Sequence, residues 1–387
     1  MERIAIVYTE SKIPIRVVRE ALTLKKYGYE IHLVGSTSSY ADELLCSGSI
    51  YKHKLHGWSH HALLRRPPYY QLMRRKLSKT LSKINPDVVF ARNVYIAAMV
   101  KELDYPVVLD DAELFFIKRM LGLPRIRKLH QRLLKLAYNI LTGKLEELLA
   151  SEAPIITISK QGYIWYRYEL GAKNVYIVRS YPLRKEANVA KIAYKNNRKH
   201  YVIFAHIGKG LDLNYYTYAL YYDYYRSLIT TLKVISKLGK YYKDKIEVLV
   251  IGDKVGYSTK IFNSIGIIPH MKMYEKLAFA DFGLLTYDPS FFHSACSPLR
   301  AYMFAVSGVV PLVTDTLEDV INDMKPYVTI VNSFNFEESL SRMLTDIVEN
   351  YSYEDHIHLR YKLKRYAERK LIWETQEKNI IEAVKRA

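Results

Sequence analysis

The feature that most constrains this chain is a repeated alternation of short, uniformly apolar runs with stretches of helical spacing. Ile4-Ala5-Ile6-Val7-Tyr8 opens it, and residues 14–27 follow with Val17, Val18, Ala21, Leu22 and Leu24 at near-helical intervals. Gly28 stands where a helix C-terminus favours glycine, and residues 30–34 form the next apolar run. Residues 87–90, 107–109, 155–158 and 175–178 are further runs bounded by turn residues. Strands apolar at every position are buried on both faces, which calls for a parallel sheet covered by helices above and below. Residues 183–199 are polar and lysine-rich without a period, and read as a linker. The alternation then restarts, with strands expected at 201–205, 246–251, 265–268, 282–285 and 309–313. Helices are expected at 227–238, 273–279, 298–307 and 337–349, and one long charged helix at 353–387. The prediction is an α/β chain of two doubly wound, Rossmann-like domains, 1–182 and 200–369, facing a ligand cleft at the C-terminal ends of their strands.

At 387 residues the chain is long enough for two such cores. No apolar run approaches the roughly 18–20 residues of a spanning helix. The first strand begins too early for a signal peptide, and Cys46 and Cys296 form no metal spacing. A reduced, cytoplasmic setting is expected. His56, His60 and His61 have no cysteine or paired carboxylate beside them, so no metal is assigned.

The formal net charge is +19, which suits a polyanionic partner. It is concentrated in the first half, where residues 52–83 and 114–145 carry many cations and no acid. In 52–83 the cations interleave with Trp58, Leu63, Leu64, Tyr69, Tyr70, Leu72 and Met73, and Pro67-Pro68 is expected to interrupt any helix. That pattern points to an anionic membrane surface. Leu129, Leu133, Leu136, Ala137 and Ile140 form a helical stripe, whose commoner fate is to face the core. The 35 tyrosines are spread along the chain, and no recognised nucleic-acid motif accompanies them, so nucleic acid is disfavoured.

Chemistry concentrates in residues 266–315. Ser297-Pro298 opens a helix just after a strand, with Arg300 in its first turn and Gly308 at its end. Free amides, the helix dipole and a guanidinium converge there on a place suited to a diphosphate. Gly208-Lys209-Gly210 lacks the P-loop spacing.

This segment resembles glycosyltransferase family 4, whose members are retaining enzymes of the GT-B fold. The matching positions are Gly266, Pro269, Ala280, Asp281, Gly283, Ser297, Pro298, Gly308 and Pro311, with Arg300 where the family usually has lysine. The likeness extends to Arg16-Val17 through Glu30, to Val178-Arg179-Ser180-Tyr181-Pro182, and to Trp373-Glu374. It implies a C-terminal helix, about 370–387, that crosses back onto the first domain. It also implies a nucleoside diphosphate sugar as donor substrate, no further cofactor, and a glycan or lipid-linked acceptor. By resemblance the cations on the diphosphate are Arg300 and Arg226, with Lys209 as the rival to Arg226. Gly208, Ser297 and Pro298 would shape the donor pocket, and His293 and Asp315 are candidates to hold sugar or ribose. Three polar groups of the family are replaced here, by Ala112, Ala295 and Met303. The alternative is therefore a non-catalytic GT-B protein that binds or scaffolds.

Overall fold

A computed structural model describes residues 1–39, 41–45, 50–55, 67–111, 120, 128–193, 202–208, 219–252 and 261–387, with backbone alone for 67, 208, 219–228, 291 and 292. Two units make up the chain: unit 1 is Met1–Arg179 with Gln376–Ala387, and unit 2 is Ser180–Thr375.

Unit 1 is built on a seven-stranded sheet in the order β3-β2-β1-β4-β5-β6-β7, parallel throughout. The strands are β1 (Arg3–Val7), β2 (Glu30–Gly35), β3 (Ile50–Lys54), β4 (Val88–Ala91), β5 (Val107–Asp111), β6 (Ile155–Thr157) and β7 (Val175–Ile177). The runs read as strands at 4–8, 30–34, 87–90, 107–109, 155–158 and 175–178 are all in this sheet; the apolar composition of the inner ones follows from burial on both faces, while the edge strand β7 is only half-buried. Unit 2 carries six parallel strands in the order β10-β9-β8-β11-β12-β13. These are β8 (Val202–Gly208), β9 (Ile246–Gly252), β10 (Phe262–Ser264), β11 (Phe282–Leu285), β12 (Val310–Thr314) and β13 (Thr329–Val331). The fold class is thus two Rossmann-like domains, as the alternation implies.

Several local expectations are corrected. The strand expected at 265–268 lies at Phe262–Ser264 instead, because Gly266 turns the chain with φ at 74°. Pro67-Pro68 starts a helix, Pro67–Ile84, since a proline's missing N–H costs nothing in the first turn. On that helix Met73, Leu77, Leu81 and Ile84 are buried at helical spacing, so part of the 52–83 stretch serves the core. The linker stretch begins with a helix, Arg184–Val189, whose Glu186 is buried and accepts hydrogen bonds from the Leu183 amide and, at 3.1 Å, from Tyr274. Tyr221, Tyr222, Tyr224 and Tyr225 lie in the first turns of a helix, Ala219–Tyr241, that starts earlier than the expected 227, so Arg226 lies about two turns inside it rather than at its beginning.

The final helix is also divided. Tyr353–Lys370 is followed by a 3-10 turn, Trp373–Thr375, and by Glu377–Arg386. Trp373 is fully buried in unit 2, its amide donating to Pro182 O at 2.7 Å, while Glu374 accepts from the Arg184 amide. Gln376 then belongs to unit 1, where its side chain bonds both the amide and the carbonyl of Arg179. Asn379 donates to Ile177 O at 2.8 Å, and Lys26 pairs with Glu377.

Two buried charge clusters fix the ends of the sheets. In unit 2, Asp281 accepts from the Ile203 amide at 2.8 Å and from Tyr351 at 3.0 Å, with the Arg360 guanidinium at 3.5 Å. Arg360, fully buried, also donates to Gly308 O and Ala278 O. The helix Tyr353–Lys370 is thereby tied to the starts of β8, β11 and β12. Gly283 is required next to it, because a Cβ there would stand 2.2 Å from the Phe304 ring. In unit 1, Arg16 donates to Asp110 and to Val178 O, and its Nε lies 3.0 Å from Glu20. Burial, and then the charge of Asp110, hold the Glu20 carboxyl well above the usual carboxylate range; Arg16 and Arg92 hold Asp110 below it against burial's opposing effect.

Two outcomes are expected. Arg360→Leu leaves Asp281 buried without its cation and should destabilise unit 2 by about 3–5 kcal/mol, read by urea unfolding. A loss below about 1 kcal/mol would show that Arg360 acts only through packing. For Glu20 the folded-state pKa is raised, so its contribution is full below the unfolded glutamate pKa and is lost as pH rises through the folded value. Glu20→Gln should therefore flatten the fall in unit 1 stability across that window, measured by urea midpoints in a pH series.

Candidate functional site

In a doubly wound sheet the ligand position is where neighbouring strands run their connections to opposite sides, at the C-terminal ends. In unit 2 that point lies between β8 and β11, because β8 has β9 on one side and β11 on the other. Arg300 occupies it. The half-buried guanidinium donates from Nη1 to Ile207 O at the end of β8 (2.6 Å) and from Nη2 to the Tyr287 hydroxyl just beyond β11 (2.5 Å). Tyr287 is buried, and Thr314 at the end of β12 holds its backbone, accepting from its amide at 3.0 Å and donating to its carbonyl at 2.9 Å. Arg300 is thus a cation whose direction is set by three strand ends.

His293 joins this group. Its ring meets the Tyr287 ring edge-on at 5.2 Å between centroids, and its Nδ1 lies 2.6 Å from Asp288 O. With Nδ1–H donating to that carbonyl, a neutral ring has its acceptor lone pair on Nε2. The helix Leu299–Val306 begins beside Arg300, with Pro298 at its N-cap and no side chain capping it. The Ala301 amide donates to Pro298 O at 3.0 Å, and the helix dipole is positive at this end. Gly208, paired with Gly252, ends β8 one residue beyond Ile207. Arg300, Pro298, His293 and Gly208 are therefore brought to one region of unit 2.

The other candidates differ. Ser297 is buried, its hydroxyl 2.9 Å from that of Tyr302, which donates to Asp323, so it serves an internal network. Asp315 is exposed and accepts from the Ser333 amide at 3.2 Å, on the β13 side of the sheet. Lys209 and Ala112 lie outside the described residues, as do His56, His60, His61 and the side chain of Arg226. Ala295 and Met303 are 5% and 2% exposed, and Met303 packs in the unit 2 core. Among the described residues no group of three His, Cys, Asp or Glu side chains could hold a metal, and no helix is long and apolar enough to cross a membrane.

Tyr287, which completes this group, carries no signal in the sequence beyond its spacing after β11. Unit 1 carries a second polar group at its own switch point, between β1 and β4. There Arg92 Nε lies 3.3 Å from Glu10 and its Nη1 3.5 Å from Asp110, and the Asn93 side chain caps the helix Val94–Lys101. Residues so far apart in sequence leave no linear signal.

No protein-family model matches this chain, and no curated protein matches it in sequence. Solved structures match its fold. A sucrose-phosphate synthase from Thermosynechococcus elongatus aligns with a TM-score of 0.72 at 11% identity, over 100% of this chain and 99% of the other. The trehalose-6-phosphate synthase OtsA aligns at 0.68 with 11% identity, over 100% and 99%. Anabaena HepE, solved in complex with UDP and glucose, aligns at 0.65 with 10% identity and full coverage of both chains. At such identities the likeness is one of fold, and the fold class is that of GT-B glycosyltransferases.

The burial of Met303 generates a prediction. Met303→Glu places an acid in a packed apolar core. It should destabilise unit 2 by roughly 3 kcal/mol or more through an unpaired buried charge. A melting temperature equal to that of the parent would show that position 303 opens to solvent or to a ligand.

Proposed function

We propose that the protein is a glycosyltransferase, moving a sugar from a nucleoside diphosphate sugar to a glycan or lipid-linked acceptor. The observation that carries this reading is Arg300, held by Ile207 O and Tyr287 at the switch point of unit 2 beside an uncapped helix start. In the proposed reaction the bond from the anomeric carbon to the diphosphate breaks, and a bond to the acceptor oxygen forms on the same face. The proton of the acceptor hydroxyl passes to the departing phosphate oxygen. No metal or further cofactor enters this scheme. What the chain must supply is stabilisation of the charge that develops on the leaving diphosphate. Arg300 and the helix dipole supply it, with Arg226 or Lys209 as second cation; His293 and Asp315 are the proposed sugar or ribose partners. Unit 1 takes the acceptor. A lipid-linked acceptor would be met at the cytoplasmic face of an anionic membrane, consistent with the +19 charge. The complexes of HepE with UDP, and with UDP and glucose, support the donor class by analogy of fold.

A second reading, a non-catalytic binding protein, draws on the burial of the apolar Ala295 and Met303. Nucleotide binding with neither donor hydrolysis nor transfer would select it.

The test is calorimetry with UDP and GDP. Arg300→Ala should weaken binding by about 1.5–3 kcal/mol, the value of a charged hydrogen bond. Unchanged affinity would overturn the assignment, and a lowered melting temperature with unchanged affinity would leave Arg300 a purely structural role.

A further inference from the structure

The helix Leu129–Glu152 of unit 1 has its amphipathic sense inverted. Its buried side carries Asn139, Thr142 and Glu146 together with Leu149 and Ala150. These polar groups are engaged inside the unit: Thr142 with the Tyr95 hydroxyl, and Glu146 with the Trp165 indole N–H at 3.4 Å. Six of its apolar side chains point the other way. Leu129, Leu133 and Ile140 are 69%, 56% and 50% exposed, at i, i+4 and i+11 of one face. Leu134, Leu141 and Leu148 lie alongside at i, i+7 and i+14, each close to half exposed or more. This stripe, which the ordinary rule assigns to a core, therefore faces out over a length of about 28 Å. Single exposed leucines are normal; a continuous apolar helix face is not, and it marks a surface that meets something other than water.

Charge identifies the occupant. Exposed Lys128, His130, Arg132 and Lys144 flank or interrupt the apolar face, and residues 114–145 hold eight lysines and arginines without one acid. Acids come only at the far end, with Glu146 buried and Glu147 and Glu152 exposed. A second copy of the chain would bring the same excess of positive charge to the contact, whereas an anionic bilayer brings the opposite charge and an apolar interior. An interfacial helix needs this combination, apolar side chains at the acyl boundary and cations at the headgroups. We propose that the outward face of Leu129–Glu152 is a docking surface for an anionic lipid membrane. This rests on the proposed membrane-side acceptor for its biological sense, but not for its test.

The experiment is co-sedimentation of the full chain, without donor, with vesicles of phosphatidylcholine alone or mixed with phosphatidylglycerol, at low and high salt. The parent should bind the mixed vesicles, less at high salt, and bind neutral vesicles weakly. Combining Leu133→Ser, Leu134→Ser, Ile140→Ser and Leu141→Ser should weaken binding by about tenfold or more at either salt. Lys128→Gln with Arg132→Gln should weaken it only on the anionic vesicles at low salt. Because these side chains are exposed, melting temperature and UDP affinity should stay as in the parent; if the quadruple variant fails to fold, Leu133→Ser and Leu148→Ser are read singly. Parent-like binding by the folded serine variants, or no binding by the parent to either vesicle, overturns the proposal. So does a parent that is dimeric by light scattering and becomes monomeric on serine substitution without vesicle binding, which would make the face a contact between copies. UDP affinity and vesicle binding are separate readings, so failure of the donor site leaves this surface standing.

Discussion

Asp281 stands at the start of β11 with its oxygens divided between the Ile203 amide on β8 and the pair Tyr351 and Arg360. A carboxylate fully buried in this way is costly unless every lone pair is used, and here backbone, hydroxyl and guanidinium share them. The same guanidinium reaches Gly308 O and Ala278 O, so one ion pair sets where three strands of unit 2 begin relative to the helix that closes it. Strands that begin in register also end in register. The ends of β8, β11 and β12 are where Ile207, Tyr287 and Thr314 converge on Arg300. The candidate site thus owes its geometry to a charge buried at the opposite end of the same strands.

Much of this arrangement was legible in the sequence. Strands buried on both faces are apolar at every position, and such runs read plainly. The missed strands are of another kind. Ile50–Lys54 is an edge strand, and its Lys52 and Lys54 blunt the edge rather than fill a core. The Tyr353–Lys370 helix and its successor read as one because charged helical spacing continues across Trp373–Thr375, and only the burial of Trp373 reveals a stop. The Ala219–Tyr241 helix begins among tyrosines, whose abundance along the chain masks their local meaning.

Of the candidate site, Arg300 and Pro298 were legible because a helix start carries local signals, whereas Gly208, expected beyond a strand at 201–205, is the last residue of that strand. The hydroxyl of Ser297 was not legible, since its use depends on Tyr302 and Asp323, which only the fold brings near. Nor was the outward face of Leu129–Glu152: periodicity reveals that a helix is two-sided but not which side is turned to the protein. That question is settled by the polar groups of neighbouring elements, here Tyr95 and Trp165, which hold the polar side inward.

Unit 1 is completed by the last helix of the chain, whose Gln376 and Asn379 bond Arg179 and Ile177. Unit 2 is continuous between those two pieces. Domains are generally completed in the order of synthesis, N-terminal first, but here the N-terminal unit includes a segment made after unit 2. Unit 2 has all of its strands and its buried ion pair while unit 1 still lacks the segment that closes against β7. The unit that carries most of the acid-free basic sequence is thus completed by a segment made after unit 2, when Gln376 meets the Arg179 backbone.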